Sequence, residues 1–123
     1  MSTKFIVNTI ISKEATLPLI KKWFDDNFPL LSVIYNSTII NPFDLDIYIP
    51  DWSIAIDYNE FYWNNKQINA KIFDVTPDYY YIKKLNVCRE NNITLYYIWG
   101  NDIIGKQSSL EKELSDITKK YTN

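Results

Sequence analysis

This chain contains no histidine, one cysteine and two glycines among its 123 residues. The lack of histidine excludes that side chain as a metal ligand, proton shuttle or general base, and leaves Asp, Glu, Lys and Tyr as the acid–base groups. Cys88 has no cysteine partner within the chain, which excludes an intramolecular disulfide and is typical of a reducing compartment. General acid–base chemistry in this chain therefore depends on carboxylates, amines and phenols.

Long apolar runs are also missing, and no run approaches the ~20 residues needed to cross a membrane. The start, Met1-Ser-Thr-Lys, is too short and polar for a secretory signal. We therefore expect a cytoplasmic protein without a membrane partner. The formal net charge of −2 gives no support for nucleic-acid binding, although local potential rather than total charge determines steering.

The central feature of the sequence is a pair of alternating segments that predicts a β-hairpin. The segments are Asp44–Ile49 and Ser53–Tyr58, joined at Pro50-Asp51-Trp52. Because side chains alternate along a strand, the isoleucines of both segments share one face and the aspartates, including Asp46 and Asp57, share the other. The hairpin therefore presents carboxylates opposite its apolar face.

The register of this hairpin decides how close the carboxylates come. The two apolar sets meet only where the paired residue numbers have an odd sum. The simplest such register places Asp44 opposite Asp57, and Asp46 opposite Ala55 and diagonal to Asp57, at a separation of roughly 7–8 Å. Facing carboxylates repel each other, so we expect a cation between them. The competing interpretation is an ordinary solvated sheet face.

The remaining sequence predicts the order α-β-β-β-α-β-α in one α/β (α+β) domain spanning residues 1–123. Hydrophobic residues make up 46% of the chain, which is enough to form a core that needs no disulfide or structural metal. Pro18 is tolerated in a first helical turn, so the first regular helix is expected to begin near Thr16 or Leu17. The other predicted segments are a strand or lead-in at Lys4–Ile11, a strand at Leu30–Tyr35, a loop at Asn64–Val75, a helix capped by Thr76 and running to Asn91-Asn92, a strand at Ile93–Trp99, and a helix at Leu110–Lys120 opened by a Ser108/Glu111 capping box.

The hairpin and the segments after it resemble a known nuclease superfamily. Asp44-Leu45-Asp46-Ile47-Tyr48-Ile49-Pro50, then Ile54-Ala55-Ile56-Asp57-Tyr58-Asn59 and Tyr62-Trp63, are similar to the PD-(D/E)XK nucleases, in particular the very-short-patch-repair-endonuclease-like branch that includes phage homing endonucleases. Tyr80-Tyr81, Lys84 and Cys88, followed by Ile93 to Asp102, are similar to the second half of that family. The resemblance implies a restriction-endonuclease-like core, a mixed sheet flanked by helices.

The resemblance also implies roles for individual residues. Asp46 matches the central metal-binding carboxylate, and Asp57 matches the acid of the (D/E)-x-K motif, with Asn59 where other branches have lysine. Glu14 matches an acid near the first helix and is the third implied metal ligand, although an acid in a first helical turn also favours the helix dipole. A backbone carbonyl near Tyr58 would complete the shell. The implied cofactor is Mg²⁺ or Mn²⁺, which activates a water for phosphodiester hydrolysis.

The sequence departs from the family where histidines are expected. Asn64 and Tyr81 occupy those positions, and an amide cannot take or give a proton at neutral pH. Lys84, Lys66 or Tyr81 would have to handle the proton, or the metal alone would have to suffice. Trp63, Asn64, Lys66 and Tyr81 are the implied DNA contacts, whereas aromatic side chains at helical spacing are also typical of a core.

Two hypotheses follow from this resemblance. The first is a metal-dependent DNA endonuclease encoded by a phage or mobile element and acting in the host cell. The second is a catalytically inactive protein of the nuclease fold that binds DNA or a protein partner. The sequence shows no appended DNA-binding module, so specificity would come from loops, a homodimer or a partner protein. A metal bound only for stability is a third interpretation.

Overall fold

The computed structural model describes residues 12–59, 77–103 and 106–122. Its elements are α1 (Lys13–Asn27), β1 (Ile34–Ser37), β2 (Leu45–Ile49), a 3-10 turn (Pro50–Trp52), β3 (Ile54–Asn59), α2 (Pro77–Glu90), β4 (Thr94–Trp99), α3 (Gly100–Ile103) and α4 (Gln107–Thr118). This is the predicted order with a short helix, α3, added after β4. The predictions for Lys4–Ile11, Asn64–Val75 and Thr76 lie outside the described residues. No helix within these ranges is long and apolar enough to cross a membrane.

The sheet contains four strands in the order β1-β2-β3-β4. The β1/β2 and β2/β3 pairs are antiparallel, and the β3/β4 pair is parallel. A parallel pair needs a crossover connection, and α2 lies in the segment that joins these two strands. The predicted mixed α and β class, with a mixed sheet, is therefore confirmed.

Helices cover both sides of the sheet. We call the side packed against α1 and α4 the apolar face; its buried residues are Ile20, Phe24, Ile47, Ile49, Ile54, Ile56, Tyr58, Ile98, Ile103, Leu110, Leu114 and Ile117. We call the side packed against α2 the charged face, because it also carries Asp57; its buried apolar residues are Ile40, Phe43, Leu45, Ala55, Tyr80, Tyr81, Cys88, Ile93 and Leu95. Asp46 and Asp57 are only 8% and 3% exposed, so the solvated-face interpretation is wrong for both.

Helix α1 begins at Lys13, earlier than the predicted start near Thr16. Ser12 has extended backbone, and its side-chain oxygen accepts a hydrogen bond at 3.2 Å from the backbone N–H three residues later. This N-cap starts the helix, so Pro18 lies in its second turn. Proline has no N–H to give to the carbonyl of Glu14, but Glu14 is exposed and water can satisfy that carbonyl.

Two other boundaries differ from the sequence-based expectation. Strand β1 begins at Ile34 because the chain turns after α1, where the N–H of Leu31 donates to the carbonyl of Phe28 at 3.1 Å. The Ser108/Glu111 capping box is wrong, since α4 begins at Gln107 and Lys106 is its cap. A capping residue has non-helical backbone, and Ser108 already lies within the first turn of α4.

Candidate functional site

The β2/β3 hairpin brings the two predicted aspartates opposite each other. Tyr48, rather than Asp46, lies opposite Ala55. The predicted register is therefore wrong by two residues, because the 3-10 turn Pro50–Trp52 makes the connection longer than the tightest hairpin allows. The observed pairs still have odd sums, as the apolar pattern requires. Continued by one pair, this register brings Asp46 level with Asp57.

Each aspartate binds the backbone of the opposite strand. The N–H of Asp46 donates to Asp57 Oδ1 at 2.8 Å, and the N–H of Tyr58 donates to Asp46 Oδ2 at 2.8 Å. Carboxylates thus take the place of backbone carbonyls as acceptors at this end of the hairpin. The two side chains are held in position by strand amides, in bonds that a charged acceptor strengthens.

Two lysines from different helices neutralise the aspartates. Lys84, on α2, is buried, and its Nζ donates to Asp57 Oδ2. Lys13, at the start of α1, has its Nζ 3.2 Å from both Asp46 Oδ1 and Asp46 Oδ2. We call these four residues the charged cluster. It contains two negative and two positive groups, so its formal charge is balanced.

Burial and charge shift the pKa values around the charged cluster. Burial raises the pKa of Asp46 above its usual range; Asp57 adds to the rise, whereas Lys13 and the N–H of Tyr58 oppose it. Burial, followed by the nearby aspartates, raises the pKa of Tyr80 to about 12. A proton on Asp46 is therefore favoured more than on a solvated aspartate, as expected for facing carboxylates out of water.

Lys84, one of the three candidates for handling the proton, lies beside Asp57. It is 6% exposed and contacts Asp57 directly. Asn59, which the resemblance would align with a lysine of other branches, is buried on the same face of β3 and cannot carry a positive charge. The cation beside Asp57 therefore comes from α2 and not from β3.

Tyr81 packs among other aromatic side chains of the charged face. It is 7% exposed, and its ring centroid lies 5.4 Å from that of Tyr97 and 5.2 Å from that of Trp99, in edge-to-face arrangements. This environment favours the core interpretation over base stacking. Cys88 is fully buried, and burial raises its pKa to about 11.

Glu14 lies in the first turn of α1 and is exposed. Within residues 12–59, 77–103 and 106–122, no three or more His, Cys, Asp or Glu side chains lie close enough together to hold a metal. Lys13, the neighbour of Glu14, is the α1 residue that binds Asp46. The sequence analysis did not identify Lys13, although Ser12 as an N-cap would have placed it at the start of the helix.

Three of the implied DNA contacts, Trp63, Asn64 and Lys66, lie outside the described residues.

The carboxylates are suitable in kind for a hard divalent cation. Mg²⁺ and Mn²⁺ prefer oxygen ligands, and Asp46 and Asp57 together offer four carboxylate oxygens. Each of these oxygens already accepts a hydrogen bond from the chain: from Lys13, Tyr58, Asp46 or Lys84. An ion would therefore have to use a remaining lone pair or displace a lysine.

Comparison of the chain with protein-family models, curated proteins and solved structures finds no match.

Proposed function

We propose that this protein is a metal-dependent DNA endonuclease with a restriction-endonuclease-like core. One observation carries the proposal: two buried aspartates face each other across a hairpin, and a buried lysine from the flanking helix contacts one of them. Buried carboxylates that face each other are unfavourable without cations. The same three groups, two carboxylates and one ammonium, suit the binding and hydrolysis of a phosphodiester.

Asp46 and Asp57 would hold Mg²⁺ or Mn²⁺ through their carboxylates, with the backbone carbonyl of Tyr58 as a further ligand. When bound, such an ion polarises the phosphate and lowers the pKa of a coordinated water. The N–H groups of the opposite strand hold the carboxylates of Asp46 and Asp57 in place, so little reorganisation is needed.

Lys84 would take the part of the lysine that the motif lacks at Asn59. Its ammonium fixes the orientation of Asp57 and sets a positive charge beside the metal-binding carboxylates. Hydrolysis increases negative charge on the phosphate oxygens, which a fixed ammonium in a buried site stabilises. This role requires the ammonium of Lys84, which contacts Asp57 directly.

The alternative is a catalytically inactive protein of the same fold that binds DNA or a protein partner. The observation that favours it is the balanced charge of the cluster, in which all four carboxylate oxygens already have partners within the chain. Such a cluster needs no metal to balance its charge. The absence of histidine points in the same direction.

The deciding experiment is nicking of supercoiled plasmid by wild-type protein with Mg²⁺ and, separately, Mn²⁺. We expect nicking, and a loss of about 100-fold or more in Asp46→Asn and Asp57→Asn, since each removes a charged ligand. Asp44→Asn is the matched control: it makes the same change at an exposed position beside β2, and should nick at the wild-type rate.

The result against this function is equally specific. If well-folded wild-type protein nicks with neither ion but still shifts labelled DNA in a gel, the binding function is correct. If the three asparagine variants all nick like wild type, the activity lies elsewhere or in a contaminant.

A further inference from the structure

The two lysines of the charged cluster differ in accessibility. The side chain of Lys84 is 7% exposed, whereas that of Lys13 is 37% exposed. Lys84 reaches Asp57 from within the layer formed by α2, while Lys13 lies at the first position of α1. One cation of the cluster is therefore part of the interior, and the other is in contact with solvent.

We propose that Lys13 is an internal substitute for the divalent ion, and that the ion binds by displacing the Lys13 ammonium from Asp46 while Lys84 stays on Asp57. This inference rests on the proposed function and extends it, since it assigns to Lys13 a regulatory role that controls when the site accepts metal. In this proposal, the Lys13 ammonium balances the charge of Asp46 until a divalent ion displaces it.

The contacts of Lys13 are suited to exchange. Its Nζ lies 3.2 Å from each oxygen of Asp46, longer than the ~2.7–2.9 Å of a strong charge-assisted hydrogen bond. A partly exposed ammonium can regain water when it leaves. Departure of Lys84 would instead leave a buried carboxylate without its cation, which is far less favourable.

The oxygen that Lys13 would release is a good metal ligand. Asp46 Oδ1 has Lys13 as its one hydrogen-bond partner among the described residues, whereas Asp46 Oδ2 also accepts the N–H of Tyr58. Loss of Lys13 would therefore free Oδ1 while Oδ2 remains anchored to the strand. The carboxylate keeps its orientation, and one positive charge is replaced by two.

The test is calorimetric titration with Mn²⁺ alone, without DNA, on wild type and three variants. Lys13→Met removes the competing ammonium and should bind Mn²⁺ about fivefold more tightly than wild type, in keeping with the modest strength of a partly exposed ion pair. Lys13→Arg offers a guanidinium that can bind both carboxylate oxygens, and should bind Mn²⁺ more weakly than wild type.

Lys22→Met is the matched control. It removes one positive charge from the same helix, but Lys22 pairs with Asp26 at 2.7 Å, and both side chains are exposed. Its Mn²⁺ affinity should equal that of wild type. An equal gain in Lys22→Met would attribute the effect to net charge and overturn the proposal.

The outcomes separate this inference from the proposed function. If wild type nicks DNA but Lys13→Met binds Mn²⁺ no more tightly, displacement is wrong and the nuclease stands. A second outcome is that wild type fails to nick while the affinity for Mn²⁺ increases in the order Lys13→Arg, wild type, Lys13→Met. In that case displacement by the ion is correct and the nuclease function is wrong. If no variant binds Mn²⁺, both are wrong.

Discussion

The two faces of the sheet are both covered by helices, but they bury different chemistry. The apolar face is built almost entirely from aliphatic and aromatic side chains of the sheet, α1 and α4. The charged face buries two aspartates, a lysine and several tyrosines under α2. Replacing a buried ion pair with hydrophobic side chains of similar volume often leaves stability unchanged or raises it. At these positions, however, the carboxylates of Asp46 and Asp57 also accept strand N–H groups that an apolar side chain would leave unpaired. The buried charges of this face are therefore weak evidence for stability, and the metal site proposed above is one function that would use them.

The largest expected effect comes from breaking the charge balance. Lys84→Met leaves Asp57 buried without its cation and should lower the free energy of unfolding by about 3–5 kcal/mol. Urea denaturation followed by circular dichroism measures it. The double variant Lys84→Met/Asp57→Asn removes both charges and should recover part of the loss. If the single variant unfolds no more easily than wild type, the pairing of Lys84 with Asp57 is not what holds this face together.

Shortening a side chain on the apolar face gives a loss of stability with which the effect of Lys84→Met can be compared. Leu114, on α4, is fully buried, and Leu114→Ala should lower the free energy of unfolding by about 3 kcal/mol through lost burial and a cavity. This loss should be the same at low and high ionic strength, because no charge is involved. A strong salt dependence in the same urea experiment would contradict the division between the two faces.

The smallest expected effect is the alkaline loss of stability that Cys88, on the charged face, contributes. Burial raises the pKa of Cys88 from 9.0 to about 11, so in this range the folded state holds a proton that the unfolded state releases. The contribution of the protonated thiol to the free energy of unfolding is therefore fully present below pH 9 and is lost as the pH rises through about 9 to 11. Between pH 8 and pH 11 the loss should be about 1–2 kcal/mol greater in wild type than in Cys88→Ala. Parallel urea curves at the two pH values check this, and identical losses would show that the thiol ionises freely in the folded protein.

Local patterns were sufficient to predict much of the fold. Alternation of apolar and polar residues identified β2 and β3. The register was missed because a 3-10 turn and a left-handed Ser53, with φ of 53°, lengthen the hairpin connection. The alternation of apolar and polar residues along the strands does not specify the backbone conformation of the residues that join them.

The sequence of the hairpin alone could not predict that a helix, α2, packs over its aspartates. Alternating acids have the same sequence signature whether water or a helix covers them, and α2 comes from a segment that begins at Pro77. Lys13 was missed for a different reason, since Pro18 argued for a later helix start than the Ser12 cap produces. The two carboxylates were local in sequence, whereas both of their cations depended on long-range packing.

The separation of these charges along the chain has a consequence for folding. Asp46 and Asp57 lie 11 residues apart, whereas Lys84 is 27 residues from Asp57 and Lys13 is 33 residues from Asp46. A chain that has formed only the hairpin therefore holds two facing carboxylates without counter-charges. Their repulsion opposes the hairpin until α1 and α2 dock, and loop closure over longer separations is slower. The charged cluster thus requires α1 and α2 to dock on the hairpin, so a nascent chain that ends before Lys84 cannot form it.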